Sequence, residues 1–354
     1  MRYGDRALAV PDPLWQGGPH AMPMTRILSP PPPPPMRAAA PRPPSDRKVI
    51  AMPSSASAAS SAAETRPLTG RTALISGVSR RRGIGYGVAT ALGALGADVF
   101  LHHYRPHDLA QPTGADDLDA VRAGVRAVQA PGTRLGDRSA DLRDPDTIEP
   151  LLDAATALTG RLDILVCNQA MSGTDGSIYD MTADRLDAHW QANARASLLL
   201  TAGFARRRRR ELGGDDAVAA RPGDRGGSLG PFSAPTGHVI WMTSGQAHGA
   251  MRGEVAYATS KAALAGITRT VAAELLEVGL VLNTVNPGPV NTGYLDPETT
   301  DRDLSEHLAW LPTTPFGRVG GIEDPARLIA WLCSDAGSWV VGQVLTTDGG
   351  FSLR

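Results

Sequence analysis

Lysine is nearly missing from this chain. Of its 35 basic side chains, all but Lys48 and Lys261 are arginines. Arginine does not give up its proton and presents a broad planar fork, whereas lysine is a compact charge on a flexible stem. Against that background Lys261, inside the apolar-patterned region, reads as a position arginine does not fill; the alternative is chance retention. Cysteine is equally scarce, with Cys167 and Cys333 each in an apolar stretch. Two isolated cysteines make neither a disulfide framework nor a zinc site, so no metal is expected and the expected location is the reducing cytoplasm. No run is long and apolar enough to span a bilayer, and the N-terminus lacks the apolar core of a secretory signal. The formal net charge of −1 gives no footing for general nucleic-acid or membrane-surface binding.

What the sequence does have is length and alternation. Its 354 residues suffice for one large α/β domain or two small ones. Residues 1–66 carry a proline run at 30–35, a Pro/Arg stretch at 38–44 and a Ser/Ala stretch at 54–63. Such a segment buries too little apolar surface to offset its ordering entropy, so a disordered extension is expected. A tether, a polyproline ligand, an organelle transit peptide, or a start assigned too early with Met52 as a later one are the other readings. From Gly70 the texture becomes strand–helix alternation. Strands are expected over 72–76, 97–102, 134–140, 162–167, 238–243, 280–286 and 343–347. Helices are expected over 84–95, 116–129, 145–158, 182–210, 255–278 and 324–334. That order predicts a Rossmann-type, doubly wound parallel sheet of about seven strands in a single domain, 67–354. An Arg/Gly-rich insertion at about 206–236 interrupts it. The five arginines 206–210 read as the solvated end of a helix, with binding of phosphate or an acidic partner as the alternative.

The first strand runs into Gly77-Val78-Ser79-Arg80-Arg81-Arg82-Gly83-Ile84-Gly85 and then a helix. Glycines there let the backbone approach a pyrophosphate at a helix N-terminus, where free N–H groups and the dipole favour anions. In this strand–loop–helix context the cluster points to a dinucleotide site. An NAD site usually ends its second strand with an acid that binds the ribose hydroxyls. Here the chain reads His102-His103-Tyr104-Arg105 instead, and the loop supplies Arg80, Arg81 and Arg82. Basic groups match a 2′-phosphate, so NADP(H) is the expected cofactor. Tyr257 and Lys261 lie four apart on one helix, and Ser244 follows a strand end, where ligands bind in open parallel sheets.

With these residues in view, the stretch 70–354 resembles the short-chain dehydrogenase/reductase family, in the single-domain branch that includes β-ketoacyl-acyl-carrier-protein (3-oxoacyl-ACP) reductases. The resemblance rests on the glycine loop, Ser244, Tyr257-x-x-x-Lys261 and Asn286-Pro287-Gly288 together. It implies an NADP(H)-dependent oxidoreductase interconverting a carbonyl and a secondary alcohol, on a small substrate that is free or carrier-bound. By that resemblance Tyr257 is the acid/base, Lys261 binds the nicotinamide ribose and lowers the tyrosine pKa, and Ser244 binds the substrate oxygen. Asn193 matches the residue that holds a relay water. Asp141 and Leu142 match the adenine contacts, Asn168 and Ala170 the turn after the fourth strand, and Pro287, Gly288, Val290 and Thr292 the nicotinamide side. It also implies a homo-oligomer, a tetramer or dimer. Two departures stand out: five residues separate Gly77 from Gly83, and the turn reads Cys167-Asn168-Gln169-Ala170 where the family has Asn-Asn-Ala-Gly. The segment 106–115 reads as an insertion, and 293–315, with Tyr294, Leu295, Leu308, Trp310 and Leu311, as a substrate lid. A cofactor-binding scaffold or regulator that has lost turnover is the reading from another class.

Overall fold

The computed structural model describes residues 66–214, 228–300, 304–305, 309, 311–314 and 316–353. The expected N-terminal extension up to residue 65 lies outside the described residues, as do 215–227 of the Arg/Gly-rich insertion and Leu308, Trp310 and Pro315 of the expected lid.

Seven short strands form one sheet: β1 (Thr72–Ile75), β2 (Asp98–His103), β3 (Leu135–Ser139), β4 (Ile164–Cys167), β5 (Gly237–Met242), β6 (Leu280–Asn286) and β7 (Val344–Thr346). Their order is β3-β2-β1-β4-β5-β6-β7 and every pairing is parallel. The central strands read TALI, ILVC and GHVIWM and are buried throughout, as a sheet covered on both faces requires. Alternate residues serve opposite faces. Leu74 joins Leu151, Leu200 and Leu264, while Ala73 and Ile75 join Val88, Val125 and Ile329. The first set comes from α4 (Ile148–Ala157), α6 (Ala196–Glu211) and α7 (Val255–Leu275). The second comes from α1 (Ile84–Ala94), α3 (Leu118–Val128) and α8 (Glu323–Leu332). Strand order reverses between β1 and β4, so the connections leaving their C-terminal ends diverge and open a crevice.

Three details differ from the sequence reading. A short α2 (Arg105–Leu109) follows β2 directly, where only an insertion is expected. The single helix expected over 182–210 is broken into α5 (Ala183–His189), a π turn (Trp190–Arg195) and α6. A single widened turn leaves the apolar spacing almost unchanged, so periodicity does not reveal it. The arginine run is held by its own chain. Arg206 and Arg207 pair with Glu149, Arg207 also with Asp153, and Arg209 with Glu277. Arg208 turns inward to donate to the Leu162 carbonyl at 2.6 Å, beside Asp163 at 3.6 Å.

Candidate active site

At the end of β1 the chain turns through Gly77, whose φ of +71° suits glycine. A β-carbon added at Gly85 would stand 2.6 Å from the Gly77 carbonyl and 2.7 Å from Asn168 Nδ2. The loop therefore packs backbone on backbone, and no side chain caps the N-terminus of α1 at Gly83. This cradle fits a pyrophosphate through main-chain N–H groups. His102, at the end of β2, holds it in place. Its Nδ1 accepts from the Gly77 N–H at 3.2 Å and its Nε2 donates to the Ala140 carbonyl at 2.9 Å. Both bonds require one neutral tautomer, and burial pushes this histidine down to about 4.

The crevice above the loop has a volume of about 680 Å³. Of the expected cofactor residues, its walls include Gly77, Ser79, Arg80, Gly83, Ile84, Tyr104, Asp141, Leu142, Asn168, Ala170, Pro287, Gly288, Val290 and Thr292. Arg81, Arg82, Gly85 and Arg105 lie outside that lining. The loop arginines face carboxylates instead: Arg80 pairs with Asp108 at 3.4 Å, Arg81 with Asp116 at 3.3 Å, and Arg82 with Asp296. Arg143, which sequence reasoning passed over, lines the crevice and grips Asp141 with two nitrogens. Burial alone would raise the Asp141 carboxyl, but the Arg143 bonds hold it below its usual range.

The chemical end lies where β5 and β6 finish. Ser244 follows β5; its hydroxyl donates to Met251 Sδ at 3.9 Å and lowers the pKa of the neighbouring Tyr257 phenol. Tyr257 and Lys261 lie one turn apart on α7. The Lys261 ammonium donates to the Met242 carbonyl at 2.9 Å and lies 5.7 Å from the Tyr257 ring centre. Lys261 is 2% exposed, and burial pushes it down to about 8. Burial pushes the Tyr257 phenol up to about 12; the nearby Ser244 hydroxyl opposes this and the Glu254 carboxylate adds to it. The phenol is thus held protonated, ready to donate. Ser244 and Tyr257 line the crevice, while Lys261 and Asn193 stand behind its wall. The Asn193 side chain joins two elements: Oδ1 accepts from the Met171 N–H at 2.6 Å, and Nδ2 donates to the Met171 carbonyl and to Ser260.

Two positions that depart from the family pattern have found other work. The Gln169 amide nitrogen donates to the Ala192 carbonyl at 3.2 Å and Ser197 Oγ at 2.9 Å, while its oxygen accepts from Ser76. It ties β1 to the π turn. Cys167 is buried and its thiol is pushed up to about 12, so it is inert. Asp175 is a residue that the sequence reading missed. It accepts from the N–H groups of Gly176, Ala256 and Tyr257 at 2.8, 2.9 and 2.7 Å, capping α7 from a distant loop. Its signal, an aspartate among Ser, Gly and Thr, is indistinguishable from any turn. Among the described residues no group of His, Cys, Asp and Glu side chains is placed to hold a metal, and no helix is long and apolar enough to cross a membrane.

A family model described as enoyl-(acyl carrier protein) reductase matches residues 77–214 and 228–352. The uncharacterized oxidoreductase YjdA of Bacillus subtilis is 30% identical over 281 residues, covering 79% of this chain and 96% of the relative. An NADPH-dependent aldehyde reductase-like protein, chloroplastic, of Arabidopsis thaliana is 29% identical, covering 80% of this chain and 95% of the relative. Among solved structures, a short chain dehydrogenase from Burkholderia cenocepacia in complex with NADP superposes with a TM-score of 0.61 at 29% identity, covering 81% of this chain and all of the other.

Proposed function

The chain belongs to the short-chain dehydrogenase/reductase family and is an oxidoreductase of carbonyls and alcohols, and from that premise we propose an NADPH-dependent reductase acting on an uncharged carbonyl. The observation that carries this reading is that Ser244 and Tyr257 share the lining of one crevice with the glycine cradle, with the Lys261 ammonium 5.7 Å from the phenol ring centre.

The cofactor, when bound, supplies the hydride. Ser244 and Tyr257 donate hydrogen bonds to the substrate oxygen, and the phenol gives up its proton as negative charge grows there. The Lys261 ammonium stabilises the phenolate left behind, and its own proton is held by the Met242 carbonyl. Asn193 fixes the Met171 backbone that lines the crevice beside them. Domain bounds of 67–354 for this unit accompany the proposal.

NADPH rather than NADH is supported by the absence of an acid at the end of β2, which reads His102-His103-Tyr104, and by Arg80 and Arg143 in the lining. The relative named for NADPH and the neighbour holding NADP point the same way. Met171, Met251 and Tyr294 make the substrate end apolar, and Glu254 disfavours anionic substrates. A 3-oxoacyl thioester on a carrier is one substrate compatible with that wall; a free ketone or aldehyde is another. Buried, free Cys167 and Cys333 suit a reducing cytoplasm, and exposed Trp331 and Trp339 suit a homo-oligomer.

The test is NADPH and NADH consumption across a panel of ketones, aldehydes and quinones, with Tyr257→Phe as control. Turnover with NADPH that Tyr257→Phe abolishes supports the proposal. Tight NADPH binding with no turnover on the panel would favour the scaffold reading.

A further inference from the structure

Residues 105–116 leave β2 on the adenosine side of the crevice and cross it. Pro106, His107, Asp108, Gln111, Pro112 and Thr113 all line the cavity. The segment reaches the opposite walls, which follow β4 and β6. A β-carbon built on Gly173 would lie 2.9 Å from Gln111 Oε1, and one on Gly293 would lie 3.0 Å from Thr113 Cγ2. Glycine at those two positions gives the crossing segment room.

The crossing is tethered by side chains. Its described backbone hydrogen bonds are local: His107 to Tyr104, Ala110 to His107, Gln111 to Asp108 and Gly114 to Gln111. Two carboxylates pin it to the glycine loop. Asp108 accepts from Ser79 Oγ and pairs with Arg80 Nε at 3.4 Å. Asp116 accepts from the Arg81 N–H at 2.7 Å and its Nε at 3.3 Å. Arg80 also reaches the far wall, donating from Nη1 to the Thr292 carbonyl at 2.8 Å. A segment with only local backbone bonds and a few ion-pair pins opens at low cost without disturbing the sheet.

We infer that residues 105–116 form a strap that closes over the bound pyridine dinucleotide, and that release of the Asp108 and Asp116 pins gates cofactor exchange. The two residues by which this glycine loop exceeds the family's usual spacing thereby acquire a role: they let its arginines reach the strap. The inference rests on the proposed dinucleotide-binding function.

The experiment is stopped-flow measurement of NADPH release, chased with excess NADP, on the full chain. Asp116→Asn removes one pin without altering the cavity lining. Loss of a partly exposed ion pair and a charged hydrogen bond should speed release by about threefold to tenfold, and speed association similarly. Raising ionic strength should accelerate release from the unaltered chain more than from Asp116→Asn. Asp108→Asn should act in the same direction, and amide exchange over 107–114 should rise in both variants with or without NADPH. Release rates unchanged by Asp116→Asn and by salt, in a protein that binds NADPH, would overturn the strap alone. Binding of neither NADPH nor NADH would overturn the functional reading and the strap with it.

Discussion

Replacing Asp175 by alanine removes the clamp at the start of α7, the helix that carries Tyr257 and Lys261. The carboxylate is 6% exposed and accepts three main-chain N–H groups: one from Gly176 and two from the first turn of α7, those of Ala256 and Tyr257 itself. Losing an N-cap costs about 0.5–2 kcal/mol, and hydrogen bonds to charged groups contribute about 1.5–3 kcal/mol each. The Gly176 bond is local and its loss is partly recovered by water, so the expected destabilisation is about 2–4 kcal/mol. The catalytic consequence follows from where the clamp acts. Tyr257 would lose its backbone anchor, and a displacement near 1 Å costs on the order of a hundredfold in rate. The glycine cradle lies on other elements, so the NADPH dissociation constant should hold within about twofold of the unaltered chain. The assay pairs urea unfolding with kcat, KM and NADPH binding on the folded fraction. A variant as stable as the parent, or one that loses stability while folded molecules keep full kcat, would refute the clamp as a positioning device.

Gly85→Ala should weaken NADPH binding by at least tenfold by titration, because its β-carbon would meet the Gly77 carbonyl at 2.6 Å. His102 and His238 are each held down to about 4 by burial, against 6.5 for an unconstrained imidazole. Between those values the unfolded chain binds more protons, so stability is full above pH 6.5 and falls as pH drops toward 4. The loss is on the order of 3 kcal/mol per histidine at the lower limit, and His238→Leu should flatten the slope. Unfolding free energies that are equal at pH 7 and pH 5 would contradict this. Arg208→Met should cost about 1–3 kcal/mol by urea unfolding, since the Leu162 carbonyl loses its charged donor while Asp163 keeps Arg161 Nε at 3.0 Å.

The strand–helix order was legible because buried parallel strands are short apolar runs and the helices carry their own period. The placement of Tyr257 and Lys261 on one helix, with Ser244 just beyond a strand end, was legible from spacing alone, while the roles proposed for them come from the resemblance. The partners of the loop arginines were not. Asp108 and Asp116 lie in a stretch with no period, and Asp296 lies more than two hundred residues from Arg82. A basic loop beside a phosphate site looks free for the phosphate until the fold brings those carboxylates to it. Asp175 was hidden for the same reason: what it caps begins 80 residues later, and only tertiary structure joins the two.

The widened turn between α5 and α6 sets an interval in the chain. One residue fewer between His189 and Ala196 would let an unbroken α-helix form, and α5 would swing about 100° around the common axis. His189, wholly buried and 3.8 Å from Asp175, would then leave that site, while Asn193 kept its grip on Met171. Chain length in those six positions therefore decides whether the clamp on α7 and the asparagine brace face the same side.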